Sequence, residues 1–104
     1  MHTRMARYRF SGDAKDIARR AEDGMLPIFQ SQPGFRAYTI IHSDDELISF
    51  SAWESADQAE MANRAAAGWV AENLASDVEL KETRFGEILV STALEIGVTA
   101  GIRG

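Results

Sequence analysis

The stretch that decides the fold starts at Pro33-Gly34 and enters the run Phe35-Arg36-Ala37-Tyr38-Thr39-Ile40-Ile41-His42. It turns through Ser43-Asp44-Asp45-Glu46 and returns along Leu47-Ile48-Ser49-Phe50-Ser51-Ala52-Trp53, ending at Glu54-Ser55. Two runs rich in β-branched and aromatic residues around a short acidic turn predict a β-hairpin. Pro33-Gly34 ends whatever precedes the first run, because proline removes a donor and glycine frees the backbone. Beyond the second run a helix is expected at once. Ser55 serves as its N-cap, and Gln58 three residues on completes a capping box in which each side chain satisfies the other's backbone donor.

Upstream, Met5 to Phe10 alternates, with Ala6, Tyr8 and Phe10 on one face, and predicts the first strand. Asp13 caps a helix running from about Ala14 toward Gln30, whose inward stripe is read as Ile17, Ala21, Gly24 and Ile28. Pro27 inside this helix predicts a bend or a break. Downstream, the second helix carries the stripe Ala59, Ala62, Ala66, Trp69, Val70 and Asn73. A last strand is expected over about Thr83 to Leu94, and residues 97–104 are expected to form a flexible tail. The order β-α-β-β-α-β within 104 residues predicts one domain, residues 1–104 with its core at about 5–94. The fold class is α+β: a ferredoxin-like sandwich of a four-stranded antiparallel sheet with two helices on one face.

Both helices on one side leave the other sheet face bare. Neither hairpin face is cleanly polar, so this bare face predicts a homodimer stacked sheet to sheet. The hairpin register stays open. An even loop puts Arg36, Tyr38, Ser49, Ser51 and Trp53 on one face, whereas an odd loop groups Phe35 and Thr39 with Ser49 and Trp53.

Composition excludes several functions. The formal net charge of −5, with nine Arg and two Lys scattered along the chain, argues against nucleic acid as a partner. The absence of cysteine removes disulfides, thiol nucleophiles and thiolate metal sites. No apolar run resembles a signal peptide or approaches the ~20 residues of a membrane helix, so a cytoplasmic protein with no membrane partner is expected. There is no glycine-rich phosphate loop, no nucleophile elbow and no zinc-type histidine spacing. His42 with Asp44, Asp45 and Glu46 reads as an ordinary acidic turn, and no metal site is assigned.

With Pro33-Gly34-Phe35, the hairpin, Trp53-Glu54-Ser55 and the helix from Ala56 to Leu74 in place, the chain resembles the antibiotic biosynthesis monooxygenase-like family. The resemblance spans about residues 5 to 94 and places the chain in the dimeric α+β barrel superfamily. It implies a pocket between sheet and helices. It also implies a cofactor-independent monooxygenase acting on a small aromatic or phenolic compound, with the reduced substrate itself supplying electrons to oxygen. Trp53 matches the family's pocket tryptophan. Ser49 stands at the family's asparagine position, Ala59 at its tyrosine and, without gaps, Asn73 at its helix-two arginine. The family's haem-degrading branch carries a helix-two histidine, and this helix has none.

The candidate catalytic residues are therefore Trp53, Asn73 and His42, with Tyr38, Ser49 and Trp69 as candidate substrate-binding residues. Trp53 either stacks on a flat ring or fills the core at the strand–helix junction, and Trp69 divides between the same readings. Asn73 either donates to a substrate oxygen or caps the helix end. His42 either acts as a base near neutral pH or is simply exposed at the hairpin tip. Tyr8 and Arg36 line the pocket in one register, and His2 is read as part of a flexible N-terminus. Two rival functions stand beside the oxygenase: a non-catalytic dimer binding a small apolar molecule, and an isomerase or decarboxylase using His42 as base.

Overall fold

A computed structural model describes residues 1–97. The strands are β1 (His2–Phe10), β2 (Phe35–Ser43), β3 (Glu46–Trp53) and β4 (Val78–Glu87), with helices α1 (Ala14–Gln30) and α2 (Ala56–Asn73) between them. The sheet is antiparallel with spatial order β2-β3-β1-β4. This is the ferredoxin-like α+β sandwich. No helix among the described residues is long and apolar enough to cross a membrane.

Both helices start where their caps predict. Asp13 accepts from the Lys15 amide at 3.1 Å, and Ser55 Oγ accepts from the Gln58 amide at 3.2 Å. The second half of the capping box is not made. Gln58 Oε1 has no hydrogen-bond partner, and its side chain instead lies over Gly34, whose φ of 86° and missing Cβ allow that cover. The inward stripe of α1 is Ile17, Ala21, Met25 and Phe29, so beyond Ala21 it departs from the expected Gly24 and Ile28. Steps of four residues slant across a helix surface and carry the stripe around it. Gly24 faces the indole of Trp69 on α2, where a Cβ would overlap the ring. Pro27 does not break α1, since it sits on the exposed side one turn from the end and costs a single ladder bond.

The hairpin register comes from a two-residue connection. Ser43 pairs with Glu46, and Asp44 takes φ 55°, a left-handed conformation that Asp tolerates better than most residues. Tyr38 therefore faces Ser51, and Ile40 faces Ser49. A bulge between Phe35 and Ala37 then brings Phe35, rather than Arg36, opposite Trp53. Arg36 is left exposed beside Glu54, 3.5 Å away. The even-loop grouping holds for Tyr38, Ser49, Ser51 and Trp53 but not for Arg36.

β4 begins five residues earlier than Thr83 and ends at Glu87, short of the apolar run Ile88-Leu89-Val90. Among the described strands its one neighbour is β1, and Glu87 already pairs with His2 at the start of that strand. Past this point only the Ile88 amide finds a strand-like partner, the Met1 carbonyl at 2.8 Å, and Leu89 and Val90 stand exposed. The chain then turns back through a bridge between Ser91 and Ile96. Ile88, Ala93 and Leu94 approach Thr3, Ala37 and Phe50, so one end of the supposedly bare sheet face is partly covered. The other end carries Arg7 paired with Glu46 and Glu82, and Arg84 with Glu82. Arg84 and Arg7 together hold the Glu82 carboxyl below its ordinary range. Residues 98–104 of the expected tail lie outside the described residues.

Candidate functional site

The helix-facing side of the sheet presents His2, Arg4, Ala6, Tyr8 and Phe10 from β1 beside Leu47, Ser49, Ser51 and Trp53 from β3. At one end an aromatic cluster closes the core. Phe29 and Trp53 are fully buried, with ring centroids 5.4 Å apart and planes at 89°, and Tyr38 meets Phe29 edge-on at 5.1 Å. Phe35 lies 5.3 Å from the Trp53 ring. Such edge-to-face pairs add about 0.5–1.5 kcal/mol each beyond the area they bury.

Next to this cluster the core turns polar. Arg4 is only 2 % exposed, yet it makes no ion pair with any carboxylate among the described residues. Its Nε donates to Asn63 Oδ1 at 2.7 Å, and a terminal nitrogen donates more weakly to the Tyr8 hydroxyl at 3.4 Å. Both partners are neutral. Burial pushes the Tyr38 phenol up to about 12, outweighing the nearby Ser49 hydroxyl and Arg4 charge, which act the other way. Tyr38 is therefore a neutral hydrogen-bond donor at physiological pH, not a phenolate.

Arg4, Tyr8, Tyr38 and Ser49 line a cavity of about 40 Å³ between sheet and helices, closed otherwise by apolar residues such as Met25 and Val70. That space admits water-sized groups but no ring, for benzene occupies engineered cavities of about 150 Å³. Wider grooves flank it on both sides. One of about 560 Å³ runs between α1 and the edge strand β2, with Leu26, Phe35, Tyr38 and Ile40 as its apolar wall and Lys15, Arg19 and Glu22 also lining it. The other, about 270 Å³, lies between α2 and β4 and includes Arg4, Tyr8 and Asn63. Ala18, Tyr38 and Ile40 line both the first groove and the cavity, whereas Arg4 and Tyr8 line both the cavity and the second groove.

The residues read from the sequence fall into two groups. Tyr38 and Ser49 meet at the cavity. Trp53 stands behind them, fully buried, with its indole N–H donating to Ser51 Oγ at 2.9 Å and Phe29 and Phe35 packed edge-on against it. Trp69 packs against both halves of the core and against Gly24. Asn73 is exposed and its amide donates to the Trp69 carbonyl at 2.9 Å, which is the helix-end alternative. His42 is exposed near the hairpin tip, with Nε2 2.9 Å from the Asp44 carbonyl oxygen and its ring edge-on to Phe10. Neither Asn73 nor His42 borders the cavity. No group of three His, Asp or Glu among the described residues is placed to hold a metal ion.

Arg4 escaped the sequence reading, which began the first strand at Met5 and left His2 in a flexible N-terminus. The signal was present: both residues fall in phase with Ala6, Tyr8 and Phe10, so a charge and an imidazole belong to the inward face. His2 is part of β1 rather than a flexible end, and its Nδ1 is buried without a partner.

Neither a family model nor a curated protein matches the chain by sequence. By structure it is similar to SnoaB, a cofactor-independent oxygenase from Streptomyces nogalater, at TM-score 0.67 and 19 % identity, covering 88 % of this chain and 95 % of that one. It is also similar to a monooxygenase from the gene ActVA-Orf6 of Streptomyces coelicolor, solved in complex with nanaomycin D. There the TM-score is 0.63 and the identity 22 %, over 86 % and 92 % of the two chains. Rv0793 from Mycobacterium tuberculosis superposes at TM-score 0.64 with 18 % identity, over 88 % of this chain and 97 % of that one. The likeness is one of fold: the chain has the architecture of these three proteins.

Proposed function

We propose that this chain is a cofactor-independent monooxygenase-like enzyme acting on a small aromatic or phenolic compound held between the β2–β3 side of the sheet and α1. The observation that carries this reading is the neutral, buried Tyr38. Tyr38 borders both the ring-sized groove and the small, mostly apolar cavity that Ser49 and Arg4 also line. A planar ring lies in the groove against Phe35, Leu26 and Ile40, with one ring oxygen taking a hydrogen bond from Tyr38. Trp53 and Phe29 hold Phe35 and Tyr38 in position from behind. The fold shared with SnoaB and the ActVA-Orf6 monooxygenase supports an oxygenase over other chemistries.

The reaction balances without an external reductant. A ring CH2, the keto tautomer of a reduced phenol, reacts with O2 to give C=O and water: the carbon loses four electrons, oxygen gains them, and both protons leave in the water. The enzyme's task is then to bind, orient and exclude bulk water. Oxygen uptake with a reduced polycyclic phenol, and transfer of one labelled oxygen atom from O2 into the product, tests this directly. Tyr38→Phe is expected to lower turnover on the order of tenfold, the range for loss of one positioned hydrogen bond. Tight binding of the phenol with no oxygen uptake would instead establish the non-catalytic binder, which the small size of the enclosed cavity favours.

We further propose a homodimer through the open sheet face. Met5, Ile41, Ile48 and Phe50 form its apolar centre, Ile41 is 43 % exposed, and the exposed Leu89 and Val90 lie beyond its covered end. Sedimentation of the protein against Ile41→Asp tests it: a dimer converted to monomer is expected, and a monomer in both removes the proposal.

A further inference from the structure

Among the described residues, the interior of this protein holds a positive charge with no carboxylate paired to it. Arg4 is 2 % exposed, and a guanidinium keeps its charge at any pH a protein meets. Removing such an ion from water costs several kcal/mol unless an anion or a full set of hydrogen bonds compensates. Here the named partners are one amide oxygen and one phenol, at 2.7 and 3.4 Å. Burial keeps the Tyr38 phenol, which also feels the Arg4 charge, in its neutral form. Exposed positions were available on β1, β2 and β4, so the inward phase of Arg4 calls for a reason beyond packing.

We infer that Arg4 is a specificity-determining residue which selects ligands carrying an anionic oxygen on a planar ring, an ionised ring hydroxyl or a carboxylate. This deepens the proposed function and rests on its ring site. The anionic oxygen enters the cavity beside Tyr8, Tyr38 and Ser49, which has room for a small polar group and not for the ring. The ring remains in the groove, where Lys15 and Arg19 add positive charge and Glu22 opposes it from exposed positions. The guanidinium meets the anion in low dielectric, where one charge-assisted contact discriminates far better than the solvated cations outside.

Two matched pairs of probes test this by equilibrium quenching of tryptophan fluorescence. One pair is 2-hydroxy-1,4-naphthoquinone, ionised at neutral pH, against its methyl ether. The other is 2-naphthoate against 2-naphthamide. The protein is expected to bind at least one acid about tenfold more tightly than its neutral partner, and the pair that responds identifies the acidic group. In Arg4→Gln the preference disappears while the neutral compounds bind as before. Should that variant not fold, a pH series on the unaltered protein replaces it. Affinity for the hydroxyquinone then falls as the ligand's own hydroxyl is protonated, while the methyl ether binds equally throughout. Equal affinity within both pairs, or a preference that survives Arg4→Gln, overturns the inference but leaves the aromatic site standing. No binding of any of the four overturns both.

Discussion

Replacing Arg4 and its amide partner together, Arg4→Met with Asn63→Leu, should leave the empty protein at least as stable as the natural one. The guanidinium is 98 % removed from water, and that burial costs several kcal/mol even after relaxation. Against it stand one good charge-assisted bond to Asn63, about 1.5–3 kcal/mol, and a 3.4 Å contact to Tyr8 too long to add much. Met fills most of the vacated space with a flexible apolar chain, and Leu removes the amide that would otherwise lose its partner. Replacing a whole buried polar pair by apolar residues of similar volume is neutral or stabilising by about 1–4 kcal/mol. For a chain of this size each kcal/mol moves the melting temperature by about 4–8 °C. Thermal and urea unfolding of the two single variants and the double completes the cycle. Asn63→Leu alone should destabilise by about 1–3 kcal/mol, because it strips a buried charge of its best acceptor. A double variant that loses more than about 2 kcal/mol would refute the reasoning and make Arg4 a structural tie.

Three further outcomes are expected. Gly24→Ala should destabilise by about 1–2 kcal/mol in chemical denaturation, since overlap with the Trp69 ring outweighs the roughly 1 kcal/mol gained in helix propensity, and Trp69→Leu in the same chain should reverse the sign. Tyr38 keeps its proton to about pH 12 in the folded state, whereas an unfolded tyrosine loses it near 10. Its contribution is therefore intact below pH 10 and is lost as pH rises toward 12, by roughly 3 kcal/mol, and unfolding curves of Tyr38→Phe should lack that part of the alkaline decline. Asn73→Ala should cost no more than about 1 kcal/mol of stability and leave binding of the naphthalene probes unchanged, because its amide only caps a carbonyl at the exposed end of α2.

Local chemistry made most of the architecture legible. Helix α1 runs over the range its Asp13 cap and apolar spacing predict, and Ser55 starts α2 where expected. The last strand was misplaced because Ile88-Leu89-Val90 has the composition of a strand, while its pairing depends on how far β1 extends in the opposite direction. For the same reason the inward stripe of α1 drifted to Met25 and Phe29: a helix face is chosen by what packs on it.

The amino-acid sequence by itself determined the order of elements, the hairpin and the caps, since these rest on interactions between residues close in the chain. Only the tertiary structure decided the site. A single bulge at Phe35–Ala37 exchanged Arg36 for Phe35 on the inner face, the end of α2 carried Asn73 away from the cavity, and the packing of α2 on β1 brought Arg4 to Asn63 across 59 positions of sequence. Register, burial and charge pairing are properties of neighbours in space, and a charge becomes chemically significant here only once sheet and helices have shut water out around it.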